Sequence, residues 1–267
     1  MKQVSLVYML AGISSRFGGK AKAFAKVGPE GETLLEYSLN QALKNNFSKI
    51  VFIVSKKTEE QFKKYFGDSY KGVPIFYALQ EFDEAVRERP WGTNDALCSA
   101  KEFLEGPFVV CNGDDIYGED VFRKLFEHLR ENEENITAGY KLERVLSDKS
   151  SVNRGIFEIE GGKVKMVIEH LGVTRENLAE RGLDLDNLCS MNLFGLNLET
   201  FNLLCEKLDK FKEEHKEDPK IECYLPKELN NLISEGKIVM KIFPTDDLWV
   251  GITSPEDEEV VREVLKL

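Results

Sequence analysis

The segment YMLAGISSRFGGKAKAFAKVGP, residues 8–29, decides how the rest of the chain is interpreted. It begins as a short apolar run suited to a buried strand and continues into small residues and cations. The first 29 residues contain no acid, although the whole chain has 47 acidic against 36 basic residues. A solvated basic face is the ordinary explanation, but cations directly after a buried strand favour a local anion site. The cations are Lys2, Arg16, Lys20, Lys22 and Lys26.

The composition sets the class of protein. The 267 residues are 42% apolar, which is enough for a buried interior. The acidic excess argues against a nucleic-acid partner, which needs a broad cationic surface. No apolar stretch reaches membrane-spanning length, and the five scattered cysteines are typical of free thiols in a reducing compartment, so we expect a cytoplasmic protein without a membrane partner.

Strand and helix patterns alternate from residue 4 to about 140. This alternation predicts an α/β fold with a mostly parallel sheet and helices on both faces. The predicted strands are VSLVYML, KIVFIVS, VPIFYAL, PFVVC and NITAGYKL, and the predicted helices are TLLEYSLNQALKNNF, EEQFKKYF, NDALCSAKEFL and EDVFRKLFEHLRE.

The pattern changes beyond residue 150. RGIFEIEGGKVKMVIEH indicates a β-hairpin, CSMNLFGL one further strand, and KIVMKIFPTDDLWVGI two strands with a polar break. ETFNLLCEKLDKF and LPKELNNLISEG have helical spacing. We expect one domain over residues 1–267, with residues 1–145 as one part and residues 146–267 as a smaller lobe packed on it.

Ligands of an open parallel sheet bind outside the carboxyl ends of its strands. Three predicted loops lie there: residues 11–26, 79–95 and 112–120. In the first, Gly12, Ser14 and Ser15 allow a tight turn whose N–H groups could bind phosphate oxygens, and Arg16 and Lys22 would add full charge. The spacing matches neither the dinucleotide fingerprint nor the P-loop.

MLAGISSRFGGKAKAFAKVG resembles the L-A-A-G-x-G-S-R…K-x-L-x-x-V signature of sugar-phosphate nucleotidyltransferases. Ala11, Gly12, Ser15, Arg16 and Lys22 fall in its register. Two departures occur, with Leu10 in place of alanine and Ser14 in place of a second glycine.

Further matches follow in the family's order. LQEFDEAVRERPWGTNDAL is similar to its base-binding segment, and VVCNGDDIYG is similar to its V-x-N-G-D magnesium motif. RGIFEI, MVIEH and SMNLFG resemble strands of its sugar-binding lobe. Each residue also has a structural explanation, such as a turn glycine or a helix-capping aspartate, but the joint occurrence in order makes that explanation improbable for the set.

The resemblance implies a Rossmann-like three-layer sandwich with a mostly parallel mixed sheet and a smaller sugar-binding lobe of a β-hairpin and helices. It also implies transfer of a nucleotidyl group from a nucleoside triphosphate to a sugar 1-phosphate or similar phosphorylated acceptor, with Mg²⁺ as cofactor. A homo-oligomer is compatible with it. The implied residues are Arg16, Lys22 and Asp114 for catalysis; Leu10, Ala11, Gly12, Ser14, Ser15, Gln80, Gly92 and Thr93 for the nucleotide; Gly155, Glu169, His170 and Asn192 for the acceptor; and Asp114 with Asp247 for the metal.

Two positions depart from the family in ways that affect chemistry. Gly251 stands where a second metal carboxylate is usual. Asp246 or Asp247 is the candidate to replace it, with a structural turn as the equal alternative for these two residues. His170 stands where a lysine often follows the sugar-binding glutamate. Either His170 or an arginine in the following loop, Arg175 or Arg181, would then contact the acceptor phosphate.

Other functions are compatible with some of these motifs. A metal-dependent glycosyltransferase of related fold could use the GDD segment, although such enzymes usually lack a cationic loop after the first strand. A nucleotide-binding regulatory module without turnover is the second rival, with Gly251 as its best argument. A hydrolytic triad is weakly supported, because His128 and His215 lie in helical or charged segments.

Overall fold

The computed structural model describes residues 2–12, 21–146, 151–252 and 257–266. Predicted strands and helices alternate as expected along the first part of the chain. The strands are β1 (Ser5–Met9), β2 (Lys49–Ser55), β3 (Ser69–Tyr70), β4 (Val73–Gln80), β5 (Phe108–Asn112), β6 (Asp115–Ile116), β7 (Asn135–Lys141), β8 (Val152–Glu160), β9 (Lys163–Val173), β10 (Leu188–Ser190), β11 (Phe194–Leu196), β12 (Met240–Thr245) and β13 (Val250–Gly251). The helices are α1 (Leu34–Ala42), α2 (Glu59–Phe66), α3 (Thr93–Cys98), α4 (Glu119–Glu131), α5 (Leu142–Val145), α6 (Leu198–Glu214), α7 (Leu225–Ser234) and α8 (Asp257–Val264).

One large mixed sheet organises the molecule, in the order β10-β8-β9-β12-β7-β11-β5-β1-β2-β4-β3. Strands β4, β2, β1 and β5 are parallel, and so are β7 and β12. The short antiparallel strand β11 joins the two parallel groups by pairing with β5 and β7. The predicted α/β class with a mostly parallel centre is confirmed.

Helices cover both faces of the sheet, because the side chains of its central strands alternate. Leu6 and Tyr8 of β1 pack in an apolar cluster with residues of α1, α2 and α4. Val7, between them, packs in a second cluster with residues of α3, α6 and α7. All three side chains of β1 are fully buried. The result is the predicted three-layer arrangement, with the core split between the two faces.

The β8–β9 hairpin continues the same sheet. β9 pairs with β12, and β10 pairs with both β8 and β7, so five strands form a closed circuit of pairings. The two parts of the chain are therefore joined through backbone hydrogen bonds. Within the described ranges, no helix is long and apolar enough to cross a membrane.

Some elements differ from the sequence prediction. CSMNLFGL is two strands, β10 and β11, because Asn192 between them adopts a left-handed conformation with φ of 57°. The segment NDALCSAKEFL is the short helix α3 followed by a 3₁₀ turn at Lys101–Phe103. Strands β3 and β6 and helices α5 and α8 were not predicted. Helix α6 extends to Glu214, beyond the predicted end.

Gly195 in β11 packs closely against β7 and α4. An added Cβ would lie 2.8 Å from Ile136 Cγ2 and 3.1 Å from Leu129 Cδ1, and both neighbours are buried. We expect Gly195→Ala to lower the free energy of unfolding by about 1–3 kcal/mol through overpacking, measured by urea denaturation. Gly106→Ala is the control, because its added carbon meets only the Gln3 carbonyl oxygen, at 3.3 Å. Equal effects of the two substitutions would contradict this packing account.

Candidate functional site

The ends of β1 and β5 place two loops side by side. The strands are parallel neighbours with Met9 opposite Asn112. The loops that follow them therefore leave the sheet side by side, at the carboxyl ends of the strands. The Gly113 N–H donates to the Met9 carbonyl at 3.0 Å. A Cβ on Gly113 would lie 1.9 Å from Leu10 Cδ2, so residue 113 must lack a side chain for the loops to meet. The GD segment is thereby held against the end of β1.

The two loops bring Lys22 to Asp114. Lys22 begins a 3₁₀ turn, and its Nζ donates to Asp114 Oδ2 at 3.2 Å. Both side chains are partly exposed, at 22% and 39% of their area. They line a small cavity of about 60 Å³ together with Leu10 and Gly12. We call this space the loop cavity.

Other predicted residues of the first loop are placed differently. Ser14, Ser15 and Arg16 lie outside the described residues. The Ala11 side chain is buried in the apolar cluster on the α3 face, so the backbone of Ala11 is what remains for a ligand. An added carbon on Gly12 would meet no atom of the described residues within 4 Å.

Asp115 is the buried member of the GDD segment, at 8% exposure. Its Oδ2 accepts hydrogen bonds from Asn112 Nδ2 at 2.9 Å and from Tyr117 OH at 3.1 Å. Strand β13 pairs Gly251 with Asp115, and a Cβ on Gly251 would lie 2.6 Å from Asp115 Oδ1. The missing side chain at residue 251 therefore leaves room for the Asp115 carboxylate.

The aspartates expected to replace a carboxylate at residue 251 have other partners. Asp247 Oδ2 accepts from the Val121 N–H at 2.7 Å, in the first turn of α4. Asp246 forms an ion pair with Arg144 at 3.5 Å. The structure thus uses the Asp247 carboxylate to cap α4, and no contact among the described residues joins it to Asp114. The cause is the polar break after β12, which turns residue 247 toward the helix.

The predicted base-binding residues lie together at the start of α3. The Gln80 amide donates to the Gly92 carbonyl at 3.1 Å and to Asp95 Oδ2 at 2.8 Å, which leaves its oxygen as the group not used in these contacts. Gly92 has φ of 98°, and an added Cβ would lie 2.6 Å from the Cys223 carbonyl oxygen. Thr93 Oγ1 accepts from the Leu225 N–H at 2.9 Å, so this side chain also anchors α7.

A larger cavity of about 770 Å³ lies beside the β8–β9 hairpin. This volume is in the range of pockets for small organic ligands. Of the predicted acceptor residues, Gly155, Glu169 and Asn192 line it, and His170 does not. We call it the hairpin cavity. Its other polar and aromatic lining includes Thr93, Asp115, Arg154, Tyr224, Lys227 and Trp249.

Arg154 is a cavity residue that the sequence prediction missed. It lies directly opposite His170 in the β8–β9 register, as Gly155 lies opposite Glu169. Its guanidinium donates to the carbonyls of Asn153 and Val145, and no carboxylate of the described residues is within ion-pair distance of it. The only sequence signal was an arginine directly before the predicted Gly155. Arg175, by contrast, donates to the Glu143 carbonyl, and neither Arg175 nor Arg181 lines this cavity.

The structure is thus an α/β protein with a lysine–carboxylate pair at the carboxyl ends of two parallel strands, which is where open α/β sheets bind their ligands. The family model described as "Nucleotidyl transferase" matches residues 19–250. The chain therefore belongs to the nucleotidyl transferase family.

Individual relatives are more distant. The bifunctional protein GlmU of Bacillus subtilis is 27% identical over 240 residues, which cover 87% of this chain and 45% of that protein. UTP–glucose-1-phosphate uridylyltransferase AglF of Haloferax volcanii is 27% identical over 163 residues, or 61% of this chain and 62% of the relative. The chain thus spans less than two thirds of the length of either relative. The inositol-1-phosphate CTP transferase structure from T. maritima has a TM-score of 0.70 at 15% identity and covers 99% of this chain and 95% of that one.

Titration of the buried Asp115 carboxyl should make the free energy of unfolding depend on pH. Burial raises the pKa of its carboxyl to about 7, and the charge of Asp114 acts in the same direction. An unfolded aspartate has a pKa of about 3.9, so between these values the folded state holds a proton that the unfolded chain has lost. This group should therefore lower stability as pH rises from about 4 to about 7, with no further change above that range.

The measurement is Tm in a chelator-containing buffer from about pH 5 to about pH 8. Asp115→Asn removes the titrating group but keeps an oxygen for Asn112 and Tyr117. We expect the decline of Tm with pH to be shallower in Asp115→Asn than in the unsubstituted protein. Parallel profiles would show that Asp115 does not titrate as described.

Proposed function

We propose that this protein transfers a nucleotidyl group from a nucleoside triphosphate to a phosphorylated acceptor of the sugar 1-phosphate type and releases pyrophosphate. The Lys22–Asp114 contact carries the proposal, because it joins a cation and a metal-type carboxylate where the loops after β1 and β5 meet. Asp114 lines the loop cavity, and the next residue, Asp115, lines the hairpin cavity. The two carboxylates thus stand between the loop cavity, beside which the triphosphate would place a phosphate group, and the hairpin cavity, which would hold the acceptor.

The chemistry needs alignment and charge neutralisation. A phosphate monoester has its second pKa near 6, so the acceptor oxygen is ionised at neutral pH and requires no general base. Its attack forms a bond to the α-phosphorus while the bond to pyrophosphate breaks on the opposite side. Lys22 would offset the negative charge where the two phosphates approach. Arg16 belongs to the same segment of sequence but lies outside the described residues, and we propose that it holds the β and γ phosphates.

The donor set suits Mg²⁺, which takes one or two carboxylates and keeps several waters. We propose that Asp114 and Asp115 are these carboxylates, in place of the Asp247 expected from sequence. Asp115 Oδ1 has no hydrogen-bond partner among the described residues, and Asp115 lines the hairpin cavity. When bound, Mg²⁺ would neutralise phosphate charge and polarise the phosphoryl group under attack.

The hairpin cavity supplies groups for the acceptor. Glu169 would accept hydrogen bonds from sugar hydroxyls, and Asn192 would donate and accept them, since both line the cavity. Gly155 lies opposite Glu169 in the hairpin, where an added Cβ would lie 2.8 Å from Val167 Cγ1. Arg154 would bind the acceptor phosphate, since its planar guanidinium matches phosphate geometry. This assignment explains how His170 can replace the family's lysine: the cation stands on the opposite strand of the hairpin.

The activity test combines the four nucleoside triphosphates with a panel of sugar 1-phosphates and Mg²⁺. The expected result is pyrophosphate release in equal amount to a nucleoside diphosphate sugar, for one preferred pair of substrates. Release of nucleoside diphosphate from a nucleotide-sugar would instead identify a glycosyltransferase. Nucleotide binding without any product would identify a regulatory module and contradict the proposal.

Substitutions on the two loops test the residues that carry it. We expect Lys22→Met and Asp114→Asn each to lower kcat/KM by about 100-fold or more, because each removes charge from the transition state. Arg16→Ala should have an effect of similar size. Lys26→Met is the matched control, since Lys26 is an exposed lysine in the same segment. A control that loses as much activity as Lys22→Met would show that the effect is general to the segment's charge.

Metal binding distinguishes the two candidate carboxylates without an activity readout. In a Mn²⁺ titration followed by electron paramagnetic resonance, Asp115→Asn should weaken binding by about 10-fold or more. Asp247→Asn should leave Mn²⁺ affinity within about 2-fold but lower Tm, because an amide accepts less effectively from the α4 N–H groups. Weaker Mn²⁺ binding in Asp247→Asn, with unchanged binding in Asp115→Asn, would identify Asp247 as the second metal ligand and contradict the proposal.

A further inference from the structure

Two of the five cysteines lie in contact with each other. Cys98 is the last residue of α3 and Cys205 lies within α6, and their Sγ atoms are 2.8 Å apart. The sulfur atoms of a disulfide are about 2.05 Å apart, so these two need to approach by only about 0.8 Å. Both are partly exposed, whereas Cys111, Cys189 and Cys223 are buried.

The pair is accessible to small reagents. Cys98 and Cys205 line a cleft of about 330 Å³, with Lys101 and Lys212 also in its wall. The hydrogen bond with Cys98 lowers the pKa of the Cys205 thiol, and the charges of Lys101 and Lys212 act in the same direction. The same hydrogen bond raises the pKa of the Cys98 thiol, together with burial. Cys205 is therefore the better nucleophile of the two.

We propose that Cys98 and Cys205 form a redox modification site, at which a small-molecule disulfide converts the two thiols into an intramolecular disulfide that ties α3 to α6. The Cys205 thiolate attacks one sulfur of the reagent and releases the first small thiolate. Cys98 then loses its proton, attacks Cys205 Sγ in the mixed disulfide and releases the second. The balance is two protein thiols and one small disulfide giving one protein disulfide and two small thiols.

The disulfide would link α3 to α6 without breaking the contacts that Asp95 makes with Lys212 and Gln80. Lys212 of α6 is already ion-paired with Asp95 of α3 at 2.5 Å, and Asp95 accepts from Gln80 at 2.8 Å. Because the sulfur atoms move by less than 1 Å, these contacts are kept on oxidation. The two cysteines are 107 positions apart, so the link closes a long loop and restricts the unfolded chain strongly. None of this depends on the proposed transferase activity.

The test is done on the full chain without substrates. Protein is equilibrated with oxidised and reduced glutathione at several ratios, quenched in acid, alkylated under denaturing conditions and weighed by mass spectrometry. The number of alkylated cysteines should fall from five to three without retained glutathione, and a reducible peptide linking residues 98 and 205 should appear. The oxidised form should have a Tm higher by about 5–10 °C.

Substitutions confirm which thiols react. Cys98→Ser and Cys205→Ser should form no internal disulfide and show no rise in Tm. Cys189→Ser is the control, because its hydroxyl can still donate to the Tyr140 carbonyl, and it should still form the link. Persistent glutathione adducts, a disulfide between two chains, five alkylated cysteines at every ratio, or a lower Tm after oxidation would each overturn the proposal. If a serine variant does not fold, the linked peptide in the unsubstituted protein decides alone.

Discussion

The contact between Lys22 and Asp114 is the constraint on which the rest of the site depends. It exists because β1 and β5 are parallel neighbours that end at the same level, and because Gly113 admits Leu10 where any side chain would collide. A lysine and an aspartate 92 positions apart are thereby held 3.2 Å from each other without either being buried. Such a pair can exchange its internal contact for phosphate oxygens and a divalent cation at little cost in desolvation.

The pairing of β13 with β6 determines which of two positions, 115 or 251, can carry a carboxylate. Strand β13 brings residue 251 against residue 115, so a side chain at one position and the carboxylate at the other compete for the same space. Glycine at 251 resolves the competition in favour of Asp115. In the β8–β9 pairing, Arg154 lies on the strand opposite His170, and it is the cation that we propose for the acceptor phosphate. In both cases we infer that the charge is kept near one place while the residue that bears it changes strand.

Local sequence patterns predicted much of this fold. The limits of α2 and α4 are those predicted, because both helices have strong amphipathic spacing and acidic first turns. The proximity of Lys22 and Asp114 followed from the rule that parallel strands present their carboxyl ends together. What the sequence did not reveal depends on non-local geometry. The break at Asn192, the capping of α4 by Asp247 and the positions of Asp115 and Arg154 each require the register between strands or the path of a loop.

The most direct measurement of the central claim is anomalous diffraction from crystals soaked with Mn²⁺ and a nucleoside triphosphate. We expect one strong Mn²⁺ peak about 2.1 Å from carboxylate oxygens of both Asp114 and Asp115, with a phosphate group of the triphosphate beside Lys22. A peak at Asp246 or Asp247, or a triphosphate bound away from Lys22 and Asp114, would contradict it.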